Sequence, residues 1–141
     1  MKVLVINGPN MNLLGKREPE VYGYETLDDL EKAVLKEAET LGIEASFFQS
    51  NLEGEIIDVI QSAQDKHVDA IIINPGAFTH YSLAIRDAIK GTGVKTIEVH
   101  MSNVHTREEF RSKSVIAPVC IGQISGFGFN SYLAALYVLK T

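Results

Sequence analysis

Short apolar runs alternate with amphipathic stretches along the whole chain. Lys2 to Asn7 reads KVLVIN, the pattern of a buried strand, and stops at Gly8-Pro9. Residues 8–24 carry Asn, Gly and Pro with no helical period. A connection of that length in a small domain usually serves as a lid or binding loop, so a mobile active-site loop is expected at about 8–24. Thr26 stands where it can cap the next helix, with Asp28, Asp29 and Glu31 in a first turn that favours acids. Leu27, Leu30, Val34, Ala38 and Leu41 then recur at helical spacing, and Gly42 ends the helix. Ile43 to Gln49 predicts a second strand. Ile56, Ile57, Val59, Ile60 and Ala63 line a second helix over about Glu53 to Lys66. Asp69 to Asn74 (DAIIIN) is the clearest buried strand, closed by Pro75-Gly76. A third helix is expected from about His80 to Lys90, with Leu83, Ala84, Ala88 and Ile89 inward. Lys95 to His100 predicts a fourth strand, Ser102 to Arg111 a polar turn and helix, and Cys120 to Ser125 a fifth strand. The last helix runs from Asn130 to Lys140, with Leu133, Leu136, Tyr137 and Leu139 inward.

Five strands separated by helices imply a parallel sheet covered on both faces, because right-handed crossovers place helices there. The expected fold is therefore α/β: one doubly wound domain over residues 1–141, with strand order 2-1-3-4-5. Ligands of such sheets bind beyond the carboxyl ends of the strands, where the strand order reverses. Three polar tails meet there. They are Asn7-Gly8-Pro9-Asn10, then Asn74 to His80, then His100-Met101-Ser102-Asn103.

Composition narrows the function classes. In 141 residues, 45% are hydrophobic and 22% charged, which is ordinary for a globular chain and excludes disorder. Acidic residues outnumber basic ones 18 to 13, a net charge of −5, which counts against a general nucleic-acid binder. A single cysteine, Cys120, makes neither an internal disulfide nor a thiolate zinc site, so a reducing cytoplasm is the expected compartment. The apolar run Val3 to Ile6 is shorter than the roughly 7–15 residues of a signal-peptide core. No uninterrupted apolar stretch approaches the ~20 residues of a membrane span.

The tails lack the phosphate-binding signatures. Gly8-Pro9-Asn10-Met11-Asn12 is neither a P-loop nor a dinucleotide fingerprint, and Gly126-Phe127-Gly128 lacks a third glycine. Acid–base chemistry fits better. A tyrosine, with an ordinary pKa of about 10, is a poor base at neutral pH. Arg17 lies five positions from Tyr22 on the same loop, and a guanidinium nearby favours the phenolate. Such a tyrosine can take a proton next to a carbonyl. Glu98 and His100 share a strand face by alternation, and the carboxylate can hold the imidazole in one tautomer as a general acid. Ser102 and Asn103 precede an expected helix start, whose free N–H groups suit a carboxylate. Arg107 and Arg111, four apart, would share a helix face, either as solvated charge or, with Arg17, as a positive pocket. Asn74 and His80 bracket a loop suited to hydroxyl or carboxylate recognition. Asp87 follows His80 by seven residues, on what would be the same helical face. His67 and His105 read as surface residues.

Three long motifs carry a resemblance. The segment from Gly8 to Pro19 with Tyr22-Gly23, the segment from Asn74 to His80, and the segment from Ile97 to Arg111 together resemble type II 3-dehydroquinate dehydratase, in order and over essentially the whole chain. The resemblance implies a flavodoxin-like domain that assembles as trimers into a dodecamer. It implies reversible anti elimination of water from 3-dehydroquinate to 3-dehydroshikimate, in shikimate biosynthesis or quinate breakdown, without metal, cofactor or Schiff base. By the matched motifs, Tyr22 is the base at C2 and Arg17 helps activate it. Asn10 helps hold the water that stabilises the enolate. His100 protonates the leaving hydroxyl, and Glu98 orients it. Asn74, His80, Met101, Ser102 and Arg111 bind the carboxylate and ring hydroxyls, and Asp87 is a substrate-site residue lent across a subunit contact. Met101 and Met11 stand where isoleucine and leucine are common in the family. Two other readings compete: a lysine-dependent dehydratase using Lys16 or Lys113, and a receiver-like or flavin-binding module. The second needs acidic residues where this chain has asparagines.

Overall fold

A computed structural model describes residues 1–141. Five strands, β1 (Lys2–Asn7), β2 (Glu44–Gln49), β3 (Ala70–Asn74), β4 (Lys95–His100) and β5 (Gly122–Ser125), pair in parallel in the order β2-β1-β3-β4-β5. This is the expected flavodoxin-like doubly wound sheet. Strand side chains alternate between faces, so each buried strand feeds two cores. Val3, Val5, Ala70, Ile72, Ile97 and Val99 pack against helices α2 (Leu27–Leu41) and α5 (Asn130–Lys140). Leu4, Ile6, Ile71 and Ile73 pack against α3 (Glu53–Asp65) and α4 (Leu83–Thr92). The central strand β3 is buried at every position, as its run of apolar residues requires, whereas edge strands β2 and β5 stay partly exposed. No helix is long and apolar enough to cross a membrane.

Helix α2 begins as its sequence dictates. The Thr26 hydroxyl accepts from the Asp29 N–H at 3.2 Å while the Thr26 N–H donates to Asp29 Oδ2 at 2.9 Å, a complete capping box. Gly42 closes the helix in the left-handed region at φ 69°.

Several expectations need correction. The third helix begins at Leu83, not His80. Gly76–His80 is instead a 3-10 turn, and Ser82 caps α4 by accepting from the Ile85 N–H at 3.0 Å. That cap rotates the helix so that Ile85, Ala88 and Ile89 are inward while Leu83 and Ala84 face out. Strand β5 starts two residues later than expected, because Ala117–Val119 forms a 3-10 turn around Pro118. In α5 the buried face is Tyr132, Ala135, Leu136 and Leu139, at i, i+3, i+4 and i+7, and Tyr137 is exposed. Residues 8–24 are not devoid of helix: they contain a 3-10 turn at Met11–Leu13 and the one-turn helix α1 (Pro19–Tyr22).

Candidate active site

The carboxyl ends of β1 and β3 are bound tightly together. The Gly8 N–H donates to the Asn74 carbonyl at 2.8 Å, and a Cβ on Gly8 would sit 2.7 Å from the Pro75 carbonyl oxygen. Only glycine allows that approach. Gly76, at φ 59°, turns the second tail against Pro9 in the same way. Beside this junction lies a cavity of about 80 Å³. The 8–24 loop contributes Asn10, Arg17 and Tyr22, the β3 tail Asn74 and His80, and the β4 tail His100, Met101, Ser102 and Arg111. Every predicted site residue therefore lines it except Glu98 and Asp87.

Glu98 stands directly behind His100, fully buried, with its Oε2 2.5 Å from His100 Nε2. Thr79 Oγ1 and Gln123 Nε2 also donate to Oε2, at 2.8 and 2.7 Å, and Ser114 Oγ donates to Oε1 at 2.7 Å. Burial pushes this carboxyl up, but the hydrogen bond and charge of His100, with the Ser114 and Gln123 donors, outweigh it and hold Glu98 below the usual carboxylate range. An ionised Glu98 accepts at Nε2, so Nε2 carries a proton and Nδ1 is the nitrogen left for a ligand.

Tyr22 sits between two guanidiniums. Arg107 Nη1 donates to the phenol oxygen at 2.8 Å. Arg17 lies over the ring, 5.0 Å from its centroid. Glu18 Oε2 is 3.4 Å from Arg17 and 3.6 Å from Arg107, which ties Arg107 to the 8–24 loop. The sequence placed Arg17 near Tyr22 but did not single out Arg107 as the direct partner of the phenol. Arg107 lies 85 residues further along the chain, and nothing in local spacing signals the contact.

Arg107 and Arg111 do not share a helix face. The segment after Ser102 is two 3-10 turns, Val104–Thr106 and Glu109–Ser112, with Arg107 in extended backbone between them. Both arginines nevertheless line the cavity. Arg111 also donates from Nε to Glu108 at 3.1 Å and stacks on Phe110. Turns of three and four residues supply no helix terminus, so the positive field comes from Arg17, Arg107 and Arg111 in a chain of net charge −5. Asp87 is exposed on α4, outside the cavity and on a different element from His80. Lys16 and Lys113 are exposed and line nothing. Cys120 is half-buried. Burial, with the Glu98 charge adding to it, pushes its thiol up to about 12, so it is not a nucleophile at neutral pH.

The arrangement offers a cation-flanked phenol oxygen and a carboxylate-backed imidazole on one small cavity. Known proteins resemble the chain from end to end. The family described as dehydroquinase class II matches residues 1–140. A 3-dehydroquinate dehydratase of Caldicellulosiruptor bescii is 65% identical over 139 residues, covering 99% of this chain and 96% of that one. The counterpart of the same name from Clostridium acetobutylicum is 59% identical over 140 residues, again covering 99% and 96%. The crystal structure of the type II dehydroquinase from Butyrivibrio crossotus superposes with a TM-score of 0.98 at 51% identity, covering 100% of this chain and 98% of that one. With a family match from end to end and relatives well above half identical, this chain belongs to the class II dehydroquinases, a family of hydro-lyases.

Proposed function

We propose that this chain is a 3-dehydroquinate dehydratase that removes water from 3-dehydroquinate by a two-step anti elimination. The single observation that carries the mechanism is that the Arg107-bound phenol of Tyr22 and the Glu98-backed imidazole of His100 line one cavity. The C3 ketone of the substrate already acidifies the C2 proton, so a base and fixed dipoles suffice. Tyr22, as phenolate held by Arg107 and Arg17, takes that proton. The enolate that forms is stabilised through a water held by Asn10. His100, as imidazolium, then donates its Nδ1 proton to the C1 hydroxyl as the C–O bond breaks. Water and 3-dehydroshikimate leave. The imidazole keeps its Nε2 proton on Glu98, and the tyrosine proton returns to His100 through solvent to reset the pair.

Asn74, His80, Ser102, Arg111 and the Met101 backbone N–H bind the carboxylate and ring hydroxyls. Residues 1–141 act as one catalytic domain in this reading. The 8–24 loop forms one wall of the cavity through Asn10, Arg17 and Tyr22, and in this reading it moves to admit the substrate. Asp87 completes the site of a neighbouring subunit in a dodecamer of four trimers. The reaction serves shikimate biosynthesis (aromatic amino acids) or quinate breakdown, in the cytoplasm.

Incubating the purified protein with 3-dehydroquinate tests the assignment. The ultraviolet absorbance of a conjugated enone should rise with time, and a flat trace would sink it. Light scattering should report a particle about twelve times the mass of one chain; a monomer at micromolar concentration would remove the role given to Asp87.

A further inference from the structure

One buried tyrosine has no part in the chemistry above. Tyr132, on α5, is fully buried, and its hydroxyl lies between two asparagines at the carboxyl ends of adjacent strands. Asn7 ends β1, Asn74 ends β3, and the two are register partners. The Tyr132 hydroxyl donates to Asn7 Oδ1 at 2.6 Å and accepts from Asn74 Nδ2 at 2.9 Å. We propose that Tyr132 is a positioning residue: its hydroxyl fixes which end of the Asn74 amide faces the substrate.

The argument is one of hydrogen counting. A hydroxyl has one proton, and Asn7 takes it. Only lone pairs remain toward Asn74, so Asn74 must turn Nδ2 to the tyrosine. From the other side, the Gly76 N–H donates to Asn74 Oδ1 at 3.1 Å. A flipped amide would set two donors against each other at Gly76 and leave Tyr132 without the donor it now accepts from. The orientation is thus locked at both ends. The second Nδ2 hydrogen meets only the Met11 sulfur at 3.6 Å, a weak acceptor on the cavity wall. A ligand oxygen can replace that sulfur, so the lock delivers an amide donor to the cavity. Burial pushes the Tyr132 phenol far above the ordinary tyrosine range, so it stays a neutral hydroxyl. The lock has a cost: Asn7 Nδ2 is buried with no partner. A phenylalanine at 132 would fill the same space with no such relay, which makes the hydroxyl the informative atom.

The inference rests on the reading that Asn74 binds substrate. Steady-state kinetics with 3-dehydroquinate on Tyr132→Phe, Asn74→Ala and the double variant test both separately. Tyr132→Phe should raise KM about 5–10-fold, the scale of one hydrogen bond, with kcat within roughly threefold of the parent. Asn74→Ala should raise KM at least as much, and the double variant should be no worse than Asn74→Ala alone. A normal KM for Asn74→Ala removes Asn74 from substrate binding and takes the proposal with it. A raised KM for Asn74→Ala with a normal KM for Tyr132→Phe, or effects that multiply in the double variant, overturns the proposal alone. If Tyr132→Phe fails to fold, Asn7→Ala takes its place. Asn7 lies off the cavity, yet losing its acceptor unlocks the hydroxyl. KM should rise there too, and an unchanged KM overturns the proposal.

Discussion

Tyr22→Phe should lower kcat by about 10²–10⁴, the usual contribution of a positioned general base. The substitution deletes one oxygen and keeps the ring. Arg17 therefore still stacks at 5.0 Å from the ring centroid, and Glu18 still spans the two arginines. What is lost is the atom that Arg107 holds at 2.8 Å. The loop keeps its packing, so a competitive substrate analogue should bind within a fewfold of the parent affinity. That split between turnover and binding marks a transition-state role, since a group that only bound substrate would move both. Retention of most of the rate would take Tyr22 out of the mechanism.

Much of this molecule was legible in one dimension. Strands β1, β3 and β4 are buried runs bounded by turn residues, and helix α2 carries its cap, its apolar stripe and its terminal glycine in sequence. The location of the site followed from strand order, because the tails of β1, β3 and β4 converge only in a 2-1-3-4-5 sheet. The failures have physical causes. The stretch from His80 to Ser82 looked helical because the end of a 3-10 turn and a helix start share local chemistry, and only the Ser82 cap separates them. Tyr137 looked inward beside Leu136, but the stripe that includes Tyr132 buries a different face. Arg107 on Tyr22, and Thr79, Ser114 and Gln123 around Glu98, are contacts between elements far apart in the chain. No local period encodes them. Asp87 is exposed on α4, as a residue expected at a subunit contact would be.

His100→Ala should also lower kcat by about 10²–10⁴, since the leaving hydroxyl loses its proton donor. A second readout ties the loss to Glu98. In the parent, Glu98 has its carboxyl held below the ordinary range, so the folded state binds its proton less readily than the unfolded chain. That contributes stability which is complete above the unfolded value of about 4.3–4.5 and is lost as pH falls through the folded value. Removing His100 removes the hydrogen bond and the charge that oppose burial, while the carboxylate stays fully buried. Its folded value then rises, and the stabilisation disappears at higher pH. Breaking one side of a buried pair costs roughly 3–5 kcal/mol, and the three remaining donors to Glu98 bring the cost to the low end. Acid unfolding followed by circular dichroism should therefore begin at higher pH in His100→Ala than in the parent. Adding Glu98→Gln to His100→Ala removes the group that titrates, so the double variant should unfold in acid at lower pH than His100→Ala while remaining as inactive. If the acid limbs of the parent and His100→Ala coincide, the carboxylate is not held down by the imidazole. Glu98 would then be bound by its neutral donors alone, and the imidazole would lack the anionic partner that keeps its second proton in place.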